Sequence, residues 1–140
     1  MIYLITTYFL KCIGEEIYKH QEDCCIPRDY YLGLSSTAPS IDGSGVTEPV
    51  SGRGYSRAEI PNNDLTFAEI TTGNSVSNKE TIYLPESTGS WGVMTHYVIF
   101  DEPTGGNLLM YGALSPNVAI PTRTIISIPA GSLSISVDNA

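Results

Sequence analysis

Positive charge is scarce in this chain. Seven Lys and Arg stand against fifteen Asp and Glu, a formal net charge of −8. Lys11, Lys19, Arg28, Arg53, Arg57, Lys79 and Arg123 are scattered along the sequence. Phosphate binding needs clustered Lys and Arg, so nucleic acid is excluded as an expected partner. Charge of either sign makes up only 16% of residues, against about 25% in an average globular protein. Cysteine occurs three times, as Cys12, Cys24 and Cys25. An odd count is no disulfide framework, and adjacent cysteines rarely bond each other. The expectation is free thiols in a protein made in a reducing compartment.

Long hydrophobic runs are missing too. The opening MIYLITTYFL is mostly apolar, but a membrane span takes about 20 such residues. No basic residue precedes the run, Glu15 and Glu16 follow it, and no small-residue cleavage site is present. The expectation is neither a secretory signal nor a transmembrane helix. Catalytic motifs are also absent: there is no G-x-S-x-G elbow and no phosphate-binding glycine loop. His20, Glu22, Asp23, Cys24 and Cys25 gather possible metal ligands, but at no binding spacing. Asp42 and Ser44 lack the further alternating oxygen ligands of a calcium loop. No catalytic residue, metal or cofactor is expected.

What is present is a foldable mixture. The 140 residues are 41% hydrophobic, enough for one domain with its own core. Gly, Pro, Ser and Thr are frequent, which suits short strands joined by turns. The first segment differs. Over residues 2–20, Ile2, Ile5, Phe9, Cys12, Ile13 and Ile17 recur at three- and four-residue steps, the period of an amphipathic helix. Such a helix either packs on the body of the domain or docks on a partner. In the docking case Ile5, Phe9, Ile13 and Ile17 are the contact residues.

Beyond the linker closed by Pro27, extended runs are expected at Asp29–Ser35, Tyr55–Ile60, Leu65–Ile70, Val76–Leu84, Val93–Phe100, Leu108–Leu114, Thr122–Ile128 and Ser132–Val137. Turn residues separate them, among them Pro61-Asn62-Asn63, Ser115-Pro116-Asn117 and Ala130-Gly131. In the last run Leu133, Ile135 and Val137 alternate with serines, the pattern of a half-buried strand. Strands at this spacing predict a mainly β fold. It is an antiparallel β-sandwich or jelly-roll-like body over residues 29–140, with an N-terminal helical segment at 1–22. Residues 37–54 form a long polar loop, a candidate contact element because long exposed loops carry function. Tyr30 and Tyr31 are further interface candidates, since Tyr is enriched at interfaces.

His96 lies in the run WGVMTHYVIFD, among Met94, Val98 and Phe100. A catalytic His needs an acidic orienter and a nucleophile. With neither marked by a motif, His96 reads as a hydrogen-bonded tenant of a packed strand. Trp91, the only Trp, starts that run and is a candidate stacking platform for a sugar.

Several segments together resemble a known family. They are YLGLSSTAPSIDGSGVTEPVSGRGYSR, the run NSVSNKETIYLPESTGSWGVMTHYVIFDEPTGGNLLMYGAL and the closing IPAGSLSISVD. In order and character they are similar to small tailed-phage virion proteins commonly labelled tail fibre proteins. Arg53 stands where a glycine is common in the G-G-Y-x-R-like segment. The resemblance implies a non-enzymatic structural component of a virion, in a tail fibre, a neck or baseplate adaptor, or a capsid decoration. Its partners would be other virion proteins and further copies of itself in a trimer or ring, and its assembly would take place in the host cytoplasm. A carbohydrate- or receptor-binding module on a host surface glycan is the alternative, with Trp91 as its platform.

Overall fold

The structure is a computed structural model in which residues 4–19, 26–63, 66–68 and 75–136 are described. The apolar runs of the chain's middle pair into one antiparallel sheet. Its strands are β1 (Leu4–Ile5), β7 (Leu108–Ile120), β6 (Gly92–Phe100), β2 (Asp29–Ser35) and β3 (Ala58–Pro61), in that spatial order. Among the described residues, two short ribbons complete the β structure. One pairs β4 (Ser75–Ser77) with β9 (Ser134–Ser136); the other pairs β5 (Ile82–Tyr83) with β8 (Ser127–Ile128). With one helix among the described residues, α1 (Thr7–Lys19), the protein is mainly β, as its composition and spacing predict.

Both faces of the sheet are covered, by different means. On one face Leu32, Leu34, Met94, Tyr97, Ile99 and Ile120 meet α1 and residues of the ribbons in the larger core. On the other, Val98, Phe100, Leu108 and Tyr111 form a second cluster, covered by Val46 of the long loop and by Tyr31. This explains why β6 is apolar on both faces. Strict alternation would place Met94 with Val98 and Phe100. The strand instead shifts register between Met94 and His96, which turns Met94 to the face of Tyr97 and Ile99. A single-residue irregularity is enough to exchange faces.

The same irregularity explains β7. Ser115-Pro116-Asn117 reads as a turn, yet the strand continues to Ile120. Met94 pairs with Val118 and His96 with Ala113, so Leu114–Asn117 form an excursion that the ladder closes around. A strand accepts proline at such a bulge because no ladder hydrogen bond is lost there.

The helix starts later than its periodicity suggests, at Thr7. Thr6, fully buried, is the cause. Its hydroxyl accepts from the Phe9 amide at 3.4 Å and donates to the Leu108 carbonyl at 2.6 Å. The cap satisfies a free amide of the first turn and ties the helix to β7. Leu4–Ile5, read as helix from the sequence, are instead the edge strand β1, paired with Met110 and Tyr111. Phe9 and Cys12 enter the main core. Cys12 is disulfide-bonded, which corrects the expectation of free thiols: an odd cysteine count still leaves room for one bond. Cys24 and Cys25 lie outside the described residues.

Two expected strands are cut short by buried polar side chains. Val76–Leu84 is divided at Asn78, which is 2% exposed. Its Nδ2 donates to the carbonyls of Glu80 and Pro129 at 2.7 and 3.1 Å, and its Oδ1 accepts from the Leu133 amide at 3.0 Å. Thr122–Ile128 is reduced to Ser127–Ile128. There Ser87 Oγ donates to the Pro121 carbonyl at 2.6 Å and accepts from the Thr124 amide at 3.0 Å, and Arg123 takes a positive φ of 60°. Of Leu65–Ile70, residues 65, 69 and 70 lie outside the described residues, and Phe67 forms a bridge with Asn78.

Candidate functional site: an ion-paired loop and an exposed helix stripe

The most developed polar arrangement grows from the glycine-rich loop between β2 and β3. The loop begins with Ser35 Oγ accepting from the amides of Thr37 and Thr47 at 3.3 and 3.0 Å. Thr37 Oγ1 donates to the Gly45 carbonyl at 2.5 Å, and Asp42 Oδ1 accepts from the amide and hydroxyl of Ser44. The expected free loop is therefore tied to itself over its first half. Its second half is tied to the sheet. Arg57 Nε and Nη2 donate to Glu48 Oε1 and Oε2, each at 2.8 Å, a bidentate pair. Arg57 Nη1 donates to the carbonyls of Glu102 and Gly105, both at 2.8 Å. The guanidinium carbon lies 3.6 Å from the centre of the Phe100 ring. Tyr55 Oη donates to Glu48 Oε1 at 2.7 Å and accepts from the Leu34 amide at 3.1 Å.

This cluster needs Gly33. A Cβ built there would run into the Tyr55 hydroxyl and lie 3.0 Å from Glu48 Oε1 and 3.3 Å from Arg57 Cγ. Gly54, at φ 78°, lets the loop turn where a Cβ would meet the Glu86 carbonyl at 2.7 Å.

Electrostatics follow from the geometry. Burial pushes the Glu48 carboxyl up. The hydrogen bonds from Arg57 and Tyr55 and the charge of Arg57 outweigh it, so Glu48 titrates below the usual carboxylate range. A carboxyl with a lowered folded pKa contributes stability above its unfolded pKa, about 4.3. That contribution is lost as pH falls through the folded value. The urea midpoint is expected to hold between about pH 5 and 7 and to fall below about pH 4. In Glu48→Gln the acid-side fall should be smaller; an unchanged acid limb would place the titrating group elsewhere. Tyr55 is held well above the usual phenol range by burial and by Glu48, so it works as a neutral donor.

The other candidate residues divide clearly. Trp91 is 5% exposed. Its ring packs edge-on against Tyr55, with centroids 5.2 Å apart, and Nε1 donates to the Arg53 carbonyl at 2.8 Å. As a sugar platform it is overturned, because the loop through Arg53 covers it. His96 is half-buried, and its Nδ1 lies 2.8 Å from Thr95 Oγ1. Phe9 is in the core, with Ile5 and Ile13 packed against it. Tyr30 meets Phe67 edge-on at 6.1 Å. Tyr31 sits half-buried against the second cluster, at a cleft of about 340 Å³ shared with Tyr8, Asp29 and Glu102.

Ile17 alone of the expected helix contacts stays open, at 66% exposure. It shares a helix face with Leu10, 52% exposed and seven residues earlier. Gly14 lies between them, with open space where a side chain would be. Tyr18 flanks Ile17, and Leu4 and Ile41 are exposed near the helix start, where the Thr7 amide donates to the Ile41 carbonyl at 3.0 Å. The helical period correctly marked an apolar helix, but the inner stripe packs at home and a second stripe faces out. Sequence reasoning missed Leu10, Glu48 and Arg57. The Glu-to-Arg segment from 48 to 57 was the available signal for the last two.

A family model described as podophage GP4 fiber I protein gp80 matches residues 11–136. No curated protein matches the chain. The match takes in the Glu48–Arg57 loop, the Trp91 strand and the β6–β7 pair together, and on that extent the chain belongs to the podophage GP4 fiber I protein gp80 family.

Proposed function

We propose that this chain is a non-enzymatic structural subunit of a phage fibre. Copies of it associate with one another in a trimer or ring through the outward stripe of α1, and with neighbouring virion proteins. Assembly takes place in the host cytoplasm. The observation that carries the reading is a contrast. The best-built polar cluster, Glu48–Tyr55–Arg57, is satisfied by its own chain, and every buried side-chain nitrogen and oxygen among the described residues has a partner. The stripe Leu10–Gly14–Ile17 carries no charged residue and is open. Copies with a net charge of −8 repel one another in general, so an uncharged contact is the favourable one.

The test is the double variant Leu10→Glu/Ile17→Glu. Both side chains are exposed on the single chain, so the variant should still fold. Burying two carboxylates in an apolar contact should lower occupancy on particles by more than about tenfold, counted by immunogold labelling. Normal labelling of the variant would reject this surface.

A further inference from the structure

The main core does not close completely. Between the sheet and the β5–β8 ribbon lies a cavity of about 180 Å³. Leu34 and Tyr97 of the sheet form its floor, Leu84 and Ile126 beside the ribbon form its roof, and Val118 and Ile120 of β7 form one side. It lies where β7 leaves the ladder at Leu114–Asn117. The floor and inner wall are interior surface: Leu34, Leu84, Tyr97 and Ile120 are each 1–3% exposed. Leu114, Val118, Ile126 and Ile128 are half-buried, and Ser127, Pro129 and Ser132 are exposed on its open side.

We infer that this cavity is a binding site for small apolar molecules, an aromatic or aliphatic group of about six to eight carbons. Three features carry this. The lining side chains are apolar save for Ser127, Ser132 and the Tyr97 hydroxyl, so water gains few of the two to four partners it needs. The volume exceeds the ~150 Å³ of an engineered apolar cavity that stays dry and takes benzene. Leu34, Tyr97 and Ile120 on one side and Ser127 and Ile128 on the other belong to paired strands, so much of the site is formed before a ligand arrives.

The experiment uses the whole chain and benzene. Saturating benzene should raise the thermal midpoint by about 3 °C and shift the methyl resonances of Leu34, Ile120 and Ile126 while leaving those of Leu10 and Ile17 in place. Val118→Phe, which adds a ring to one wall and fills the cavity, should fold and lose the response. Should that variant fail to fold, the methyl map on the parent decides alone. Three results would each overturn the inference: no saturable shift, methyl changes scattered over the surface, or a Val118→Phe response equal to the parent's. A response that emerges only on dilution would also overturn it, by assigning the cavity to a side chain from a second copy.

Discussion

Arg57→Ala is expected to lower stability by about 2–3 kcal/mol, between the cost of breaking a surface pair and that of breaking a fully buried one. The Arg57 side chain is 5% exposed and that of Glu48 is 25% exposed, so the pair is largely out of water. Removing the guanidinium strands the Glu48 carboxylate beside Tyr55. It also leaves the carbonyls of Glu102 and Gly105 without their donor and uncovers the Phe100 ring. Arg57→Met keeps the stem and separates packing from charge. If charge dominates, the methionine variant loses nearly as much as alanine, and Glu48→Gln recovers part of the loss. Denaturant unfolding of the four proteins measures this. A loss below about 1 kcal/mol for Arg57→Ala would mean that the pair behaves as a surface salt bridge and does not anchor the loop.

Gly33→Ala is the second large effect, expected at about 3 kcal/mol for one added methyl group. In an open strand alanine would be tolerated, and glycine would even be the weaker residue. Here the new Cβ falls on the Tyr55 hydroxyl. Either the strand moves or the hydroxyl leaves Glu48 and the Leu34 amide. A double-mutant cycle with Tyr55→Phe separates this from a general strand effect. Removing the hydroxyl relieves the collision, so the Gly33→Ala cost should shrink by more than about 1 kcal/mol in that background. An equal cost in both backgrounds would show that Tyr55 is not what Gly33 makes room for.

These residues also show where the sequence was readable. Local periodicity announced α1, the paired strands around β6 and the alternation of Leu133 and Ile135, because each signal lies within a few residues. The irregularities were opaque because their causes are distant in the chain. Thr6 delays the helix to Thr7 by bonding Leu108, 102 residues away. Asn78 divides its strand by reaching Pro129 and Leu133. Trp91 looked exposed at a strand start, and its cover, Arg53, lies 38 residues earlier. The Glu48–Arg57 pair is closer, but it forms only after the loop has turned through Gly52 and Gly54, both at positive φ. The outward stripe of α1 was half legible. Ile17 was named with the helix contacts, but the period cannot say which of two apolar stripes the sheet will take, and Phe9, Cys12 and Ile13 took the inner one.

The central claim is that copies of this chain associate through Leu10, Gly14 and Ile17. Its most direct test is mass in solution by light scattering across a dilution series, for the parent and for Leu10→Glu/Ile17→Glu. The account predicts that the parent holds a mass of several times 15.1 kDa and that the variant, still folded, falls to a single chain. A parent at 15.1 kDa throughout, or an oligomer that the variant leaves intact, would contradict it.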